Sequence, residues 1–264
     1  MMGKLVISII CVLSIGVIAF GIFQYDKKIE TTSEQAKLKI AETDTNVDEE
    51  KETSKPQLMD TKELSTLTAN LQEPLAQKIS NALEEEKKLT LVILGSQAIG
   101  EHEEGTSWTK RFVEELNASY ADLFEYHIEN VGTKNSSQVI EENIHEKVVT
   151  LQPDILIIEP FLLNDLGYTT MKDTLYHLDI LLSTVKIIKP NVTIMLQPAN
   201  PIADNEYYLD QVKELENFAS ENNYVYLDHW ETWPSEEENT PTISKQEGQD
   251  IWASYLIKYF TNKE

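Results

Sequence analysis

Five short segments carry the side chains that could do chemistry. They are Gly95-Ser96-Gln97-Ala98, Asn130-Val131-Gly132-Thr133-Lys134-Asn135, Glu159-Pro160-Phe161-Leu162-Leu163-Asn164-Asp165, Gln197-Pro198-Ala199-Asn200 and Asp228-His229-Trp230. A serine, a backbone-rich turn, an asparagine amide and a histidine are together the components of acyl transfer: nucleophile, oxyanion donors and base. Ser96 and His229 are therefore the candidate catalytic residues. The same residues also have plainer readings. Ser96 can cap a turn, Gln97 can bond to backbone, and Asn164-Asp165 can form a turn or N-cap pair. His229, beside Trp230 and Trp233, can be a packed histidine at a strand end. Asp228 is no natural orienter for it, because adjacent strand residues point to opposite faces. His102, His127, His145 and His177 show no HExxH or paired spacing, so neither a metal nor a cofactor is expected.

Each of these segments follows a β-type run, and helical periodicity separates the runs. Leu89–Gly95, Phe124–Val131, Asp154–Glu159, Val192–Gln197 and Tyr224–Asp228 read as strands. Ser107–Ser119, Ser137–Leu151, Met171–Ile188, Tyr207–Asn222 and Gly248–Phe260 read as helices, with Trp252, Tyr255 and Phe260 as core. Parallel neighbours need crossover connections, so the alternation implies a five-stranded parallel sheet with helices on both faces. In such folds ligands sit outside the carboxyl ends of the strands, which is where the five polar segments fall. No GxGxxG or Walker motif follows the first strand, so neither familiar nucleotide site is supported.

From Leu89 to the C-terminus the chain resembles the SGNH (GDSL-type) hydrolases, a family with a flavodoxin-like α/β/α sandwich that mostly cleaves esters, thioesters and acyl groups on lipids or glycans. The family's Gly-Asp-Ser-Leu block corresponds to Gly95-Ser96-Gln97-Ala98, so Gln97 stands at the serine position. Its Asn-x-Gly turn corresponds to Asn130-Val131-Gly132, with Asn135 at the later position whose N–H serves the oxyanion. Its Gly-x-Asn-Asp block corresponds to Leu162 through Asn164-Asp165, which makes Asn164 the implied oxyanion amide and Asp165 its neighbour in the pocket. Its final Asp-x-x-His pair falls on Thr240 and Ile243. The resemblance thus implies the fold and part of the oxyanion side, while the usual nucleophile and base are replaced.

The N-terminal quarter has a different character. Leu5 to Phe23 is apolar, without charge or proline, and long enough to cross a bilayer. A membrane anchor over residues 1–25 is expected, with a cleaved signal peptide as the rival reading because Ala19-Phe20-Gly21 is a passable small-x-small site. Residues 26–56 are mostly charged and polar and read as a flexible tether. Residues 57–88, with Leu64, Leu67, Leu71, Leu75, Ile79 and Leu83 at helical intervals and Pro74 at a restart, read as a helical stalk. The domain proper is expected over 89–264, outside a cell membrane crossed once, or secreted if the leader is cut. The single cysteine, Cys11, permits no internal disulfide. A net charge of −23 disfavours nucleic acid as a partner. Three functions fit: an esterase or acyl hydrolase acting on envelope lipid or glycan, a catalytically degenerate relative that binds a cell-wall glycan or protein, and a structural envelope protein.

Overall fold

Leu89–Gly95 forms β1, and its alternating side chains divide between two cores. Leu91 and Ile93 face one side of the sheet, whereas Val92 and Leu94 face the other. A strand buried on both faces reads as a continuous apolar run, and that is how β1 reads. The computed structural model describes residues 60–100, 107–202, 205–234 and 245–263. Within these, β2 (Phe124–Asn130), β3 (Ile155–Ile158), β4 (Thr193–Leu196) and β5 (Val225–Tyr226) join β1 in one sheet of order β2-β1-β3-β4-β5. Every pairing is parallel, with Gly95 opposite Asn130 and Leu94 opposite Ile158. This is the doubly wound flavodoxin-type order, as the family resemblance implied.

Helices α1 (Thr61–Leu67), α2 (Glu73–Glu84) and α3 (Trp108–Ser119) cover one face. The other face carries α4 (Ser136–Glu141), α5 (Ile144–Leu151), the single turn α6 (Leu162–Asp165) at its edge, α7 (Met171–Ile188) and α8 (Glu206–Glu221). The last helix, α9 (Lys245–Thr261), returns to the first face. Most helix starts are written locally. Ser107, Asn135, Thr170 and Asn205 each accept a backbone N–H at an N-cap, and Pro74 sits in the first turn of α2.

Two expectations change. Residues 57–88 are not a stalk from Thr61 onward: Leu67, Leu75, Ile79 and Ala82 are buried in the same core as β1. Burial of that apolar stripe against the sheet outweighs any tendency of the segment to stand free. Lys78 strengthens the docking by donating to Asp154 O (2.7 Å), Asn191 O (2.6 Å) and Thr193 Oγ1 (2.8 Å), at the amino ends of β3 and β4. The second change is that the helix expected over Ser137–Leu151 is two helices. Asn143, at φ 57°, breaks it, a left-handed conformation that asparagine tolerates. Among the described residues no helix is long and apolar enough to cross a membrane. The expected anchor at Leu5–Phe23 and the tether lie outside the described residues.

Candidate functional site

The carboxyl edge of the sheet is knotted together by backbone before any side chain acts. Val131 N donates to Gly95 O (2.9 Å), and Gln97 N donates to Gly132 O (2.9 Å), which zips the loop after β1 to the loop after β2. Gly132 turns at φ +65°, a conformation glycine adopts without penalty, while Asn130 Oδ1 accepts its N–H at 2.7 Å. The Asn130 amide packs where a Cβ on Gly100 would collide with it.

Ser96 is buried and acts as the cap of the 3-10 turn Gln97–Ile99, its Oγ accepting from Ala98 N at 3.1 Å. Gln97 is exposed on that turn. Beneath them lies Glu159, fully buried at the end of β3. Its Oε2 accepts from Ser96 N (2.7 Å) and its Oε1 from Phe161 N (3.1 Å). Burial pushes this carboxyl above its usual range, with the hydrogen bonds from Ser96 and Phe161 opposing. Among the described residues no ion pair includes Glu159. The sequence reading passed through this residue without singling it out. An acid at the end of an otherwise apolar strand was the available signal.

His229 is buried and lies flat against Trp252, with ring centroids 4.1 Å apart and planes 8° from parallel. Its Nδ1 accepts from Trp233 Nε1 (3.0 Å), so the proton resides on Nε2, which donates to Pro198 O (3.0 Å). Both ring nitrogens are committed, and burial pushes the imidazole pKa down to about 3. Asp228 caps the turn that follows, accepting from Trp230 N at 3.2 Å. The structure does not bring Ser96 and His229 together in a hydrogen bond; each is satisfied elsewhere. Trp233, which holds the ring, packs against Gly248, where a Cβ would stand 2.8 Å from the indole.

The residues expected on the oxyanion side are equally occupied. Asn164 Nδ2 donates to Gly132 O (3.0 Å) and to Lys134 O (2.8 Å), which uses both amide hydrogens. Asn135 caps α4: its Oδ1 accepts from Gln138 N (2.9 Å), and its own N–H donates to Gln138 Oε1 (3.1 Å), a capping box. Asp165 is fully buried, with Oδ1 accepting from Ser136 N (2.7 Å) and Oδ2 accepting the Thr174 hydroxyl. The structure therefore brings Asn164, Asp165 and the β2–α4 turn together, with their polar groups spent on that turn and its neighbours. Thr240 and Ile243 lie outside the described residues. Among the described residues no cluster of His, Cys, Asp or Glu could hold a metal ion.

No family model matches the chain, and no curated protein matches it. Solved structures do. A lipolytic protein of the G-D-S-L family from Desulfitobacterium hafniense superposes with a TM-score of 0.51 at 12% identity, over 65% of this chain and 99% of that one. A GDSL-like lipase from Parabacteroides merdae gives 0.52 at 15% identity, over 66% and 96%. A mutant acetyl esterase solved with acetate ion gives 0.50 at 13% identity, over 64% and 94%. At these identities the likeness establishes architecture, and the domain has the SGNH hydrolase fold.

Proposed function

We propose that this chain is an extracytoplasmic SGNH-fold domain, held to the cell membrane by Leu5–Phe23, that binds an acylated cell-wall glycan without acyl-serine turnover. The observation that carries the reading is the state of His229. A general base needs a free ring nitrogen within reach of the nucleophile, and a poised pKa. His229 has neither, and Ser96 offers its oxygen to a backbone N–H instead. Glycan rather than a polyanion suits a chain of net charge −23. Three exposed tyrosines offer flat faces for a neutral ring: Tyr168 (84% exposed) just after α6, Tyr176 (63%) in α7 and Tyr207 (54%) in α8. All three stand near the amino ends of helices that leave the carboxyl edge of the sheet.

The test uses the full-length protein in detergent. A serine-reactive fluorophosphonate is expected to leave Ser96 unlabelled, while O-acetylated cell-wall glycan retains the protein on a column. Labelling that disappears in Ser96→Ala would replace this reading with an esterase. Absence of both labelling and retention would leave a structural envelope protein.

A further inference from the structure

The two outer strands of the sheet are unlike. β5 has two residues and β2 has seven, and shortness is one device by which proteins blunt an exposed edge. Leu89 N donates to Leu123 O (3.0 Å), and Val131 N donates to Gly95 O (2.9 Å). Alternate residues of an outer strand therefore aim both backbone groups at β1, the odd-numbered ones here, and the even-numbered ones aim theirs outward. The first outward pair is filled. The Asn117 side chain, from α3, accepts from Phe124 N (2.9 Å) and donates to Phe124 O (3.0 Å), as a neighbouring strand would. Among the described residues nothing bonds to the outward N–H and C=O of Tyr126 and Ile128.

The side chains along this edge divide by face. Tyr126 and Ile128 stand in register with Leu91 and Ile93 and share their side of the sheet, Tyr126 exposed and Ile128 half-buried. Glu125, His127 and Glu129 share the other side. Glu129 is paired with Lys147 at 2.5 Å. Glu125 is exposed, and its one ionic partner among the described residues is His127 Nε2 at 3.8 Å. A strand laid antiparallel along β2 would exchange both backbone bonds with Tyr126 and with Ile128, and would set a side chain opposite each residue. We propose that β2 takes up, by strand addition, an extended segment of another protein that reads apolar-x-apolar-basic from its amino end. The apolar side chains lie opposite Ile128 and Tyr126, and the lysine or arginine lies opposite Glu125. Asn117 sets the register, because it already fills the slot beyond Tyr126. Glu125 repels an acidic segment, and it repels a second copy of this chain, which brings the same glutamates and a net charge of −23. The proposal is independent of the glycan reading, since this surface is the side of the sheet and not its carboxyl end.

Full-length ¹⁵N-labelled protein in detergent, titrated with the blocked peptide Thr-Val-Thr-Val-Lys-Thr, tests it. The amides of Tyr126 and Ile128 should exchange fast in the protein alone and become protected with the peptide, while Phe124 N–H, held by Asn117, stays protected throughout. A peptide with glutamate in place of lysine should bind roughly two- to fivefold more weakly, the worth of an exposed ion pair, and Glu125→Lys should reverse that preference. Ile128→Pro removes an outward N–H and leaves the ladder to β1 intact, so it should weaken binding roughly fivefold. Glu125→Lys alters only an exposed side chain, so the test stands whether or not the proline variant folds. No protection, protection elsewhere on the domain, or equal affinity for the two peptides would each overturn the proposal. Protection of Tyr126 and Ile128 that rises with protein concentration, without peptide, would give the edge to a second copy and overturn it as well.

Discussion

His229 lies on Trp252 like one card on another, 4.1 Å away and 8° from parallel, and a second indole, Trp233, donates to its Nδ1. A histidine enclosed in this way has been converted from a titrating group into a neutral spacer with one donor and one acceptor. Its cost appears only on acidification. The folded-state pKa of about 3 lies below the unfolded value of 6.5, so the unfolded chain takes up the proton first. The stability is fully present above pH 6.5 and is lost as pH falls toward 3. Integrated over that window the group accounts for about 4–5 kcal/mol. Chemical denaturation between pH 7 and pH 3.5 should therefore show a steeper loss for the native chain than for His229→Gln, which cannot titrate. Parallel curves would refute this.

Asn164 offers a way to separate scaffold from catalyst. Its amide ties Gly132 O and Lys134 O together, so Asn164→Ala removes a hydrogen bond from each carbonyl. The variant should lose about 1–3 kcal/mol of unfolding free energy. A residue kept only as an oxyanion donor would show unchanged stability, and urea denaturation reads the difference.

Gly95 is required by space rather than by backbone angle. A Cβ there would stand 2.6 Å from Ile99 Cγ2 and 3.0 Å from Glu159 Cβ. Overpacking of a filled interior costs roughly 1–3 kcal/mol, so Gly95→Ala should lower the thermal midpoint by several degrees. A paired Ile99→Ala substitution removes the nearest contact and should recover part of the loss. No drop in the single variant would mean that the loop after β1 is looser than described.

Lys78 belongs to the opposite end of the sheet. Its ammonium has three hydrogens and meets three oxygens, from Asp154, Asn191 and Thr193. Lys78→Met keeps the length and loses all three bonds, which should cost roughly 2–4 kcal/mol. It should also raise amide exchange in α2 before the rest of the domain. Uniform destabilisation without early exchange in α2 would show that Lys78 does not act as its anchor.

The linear order of residues was enough to specify the sheet and most of its helices. Short, β-favouring apolar runs such as Leu89–Gly95 and Ile155–Ile158 read as strands buried on both faces, and α7 was legible to the residue because its apolar stripe repeats at helical intervals. Under the family resemblance Gln97 falls at the serine position, so the sequence alone already raised the expectation of a replaced nucleophile. The break between α4 and α5 was invisible there, because an apolar periodicity does not register a single left-handed residue such as Asn143. Which polar group satisfies which was settled only by the folded packing. Whether His229 is a base or a spacer depends on its neighbour Trp233 and on Pro198 and Trp252, which lie elsewhere along the chain. Whether Asn164 faces a substrate or a carbonyl depends on where the turn at Gly132 comes to rest. Glu159 beneath Ser96, and Ser136 beside His177, are pairs separated by 63 and 41 residues. Hydrogen bonds of that range carry no period along the sequence, because the partners meet only once the sheet has fixed their distance.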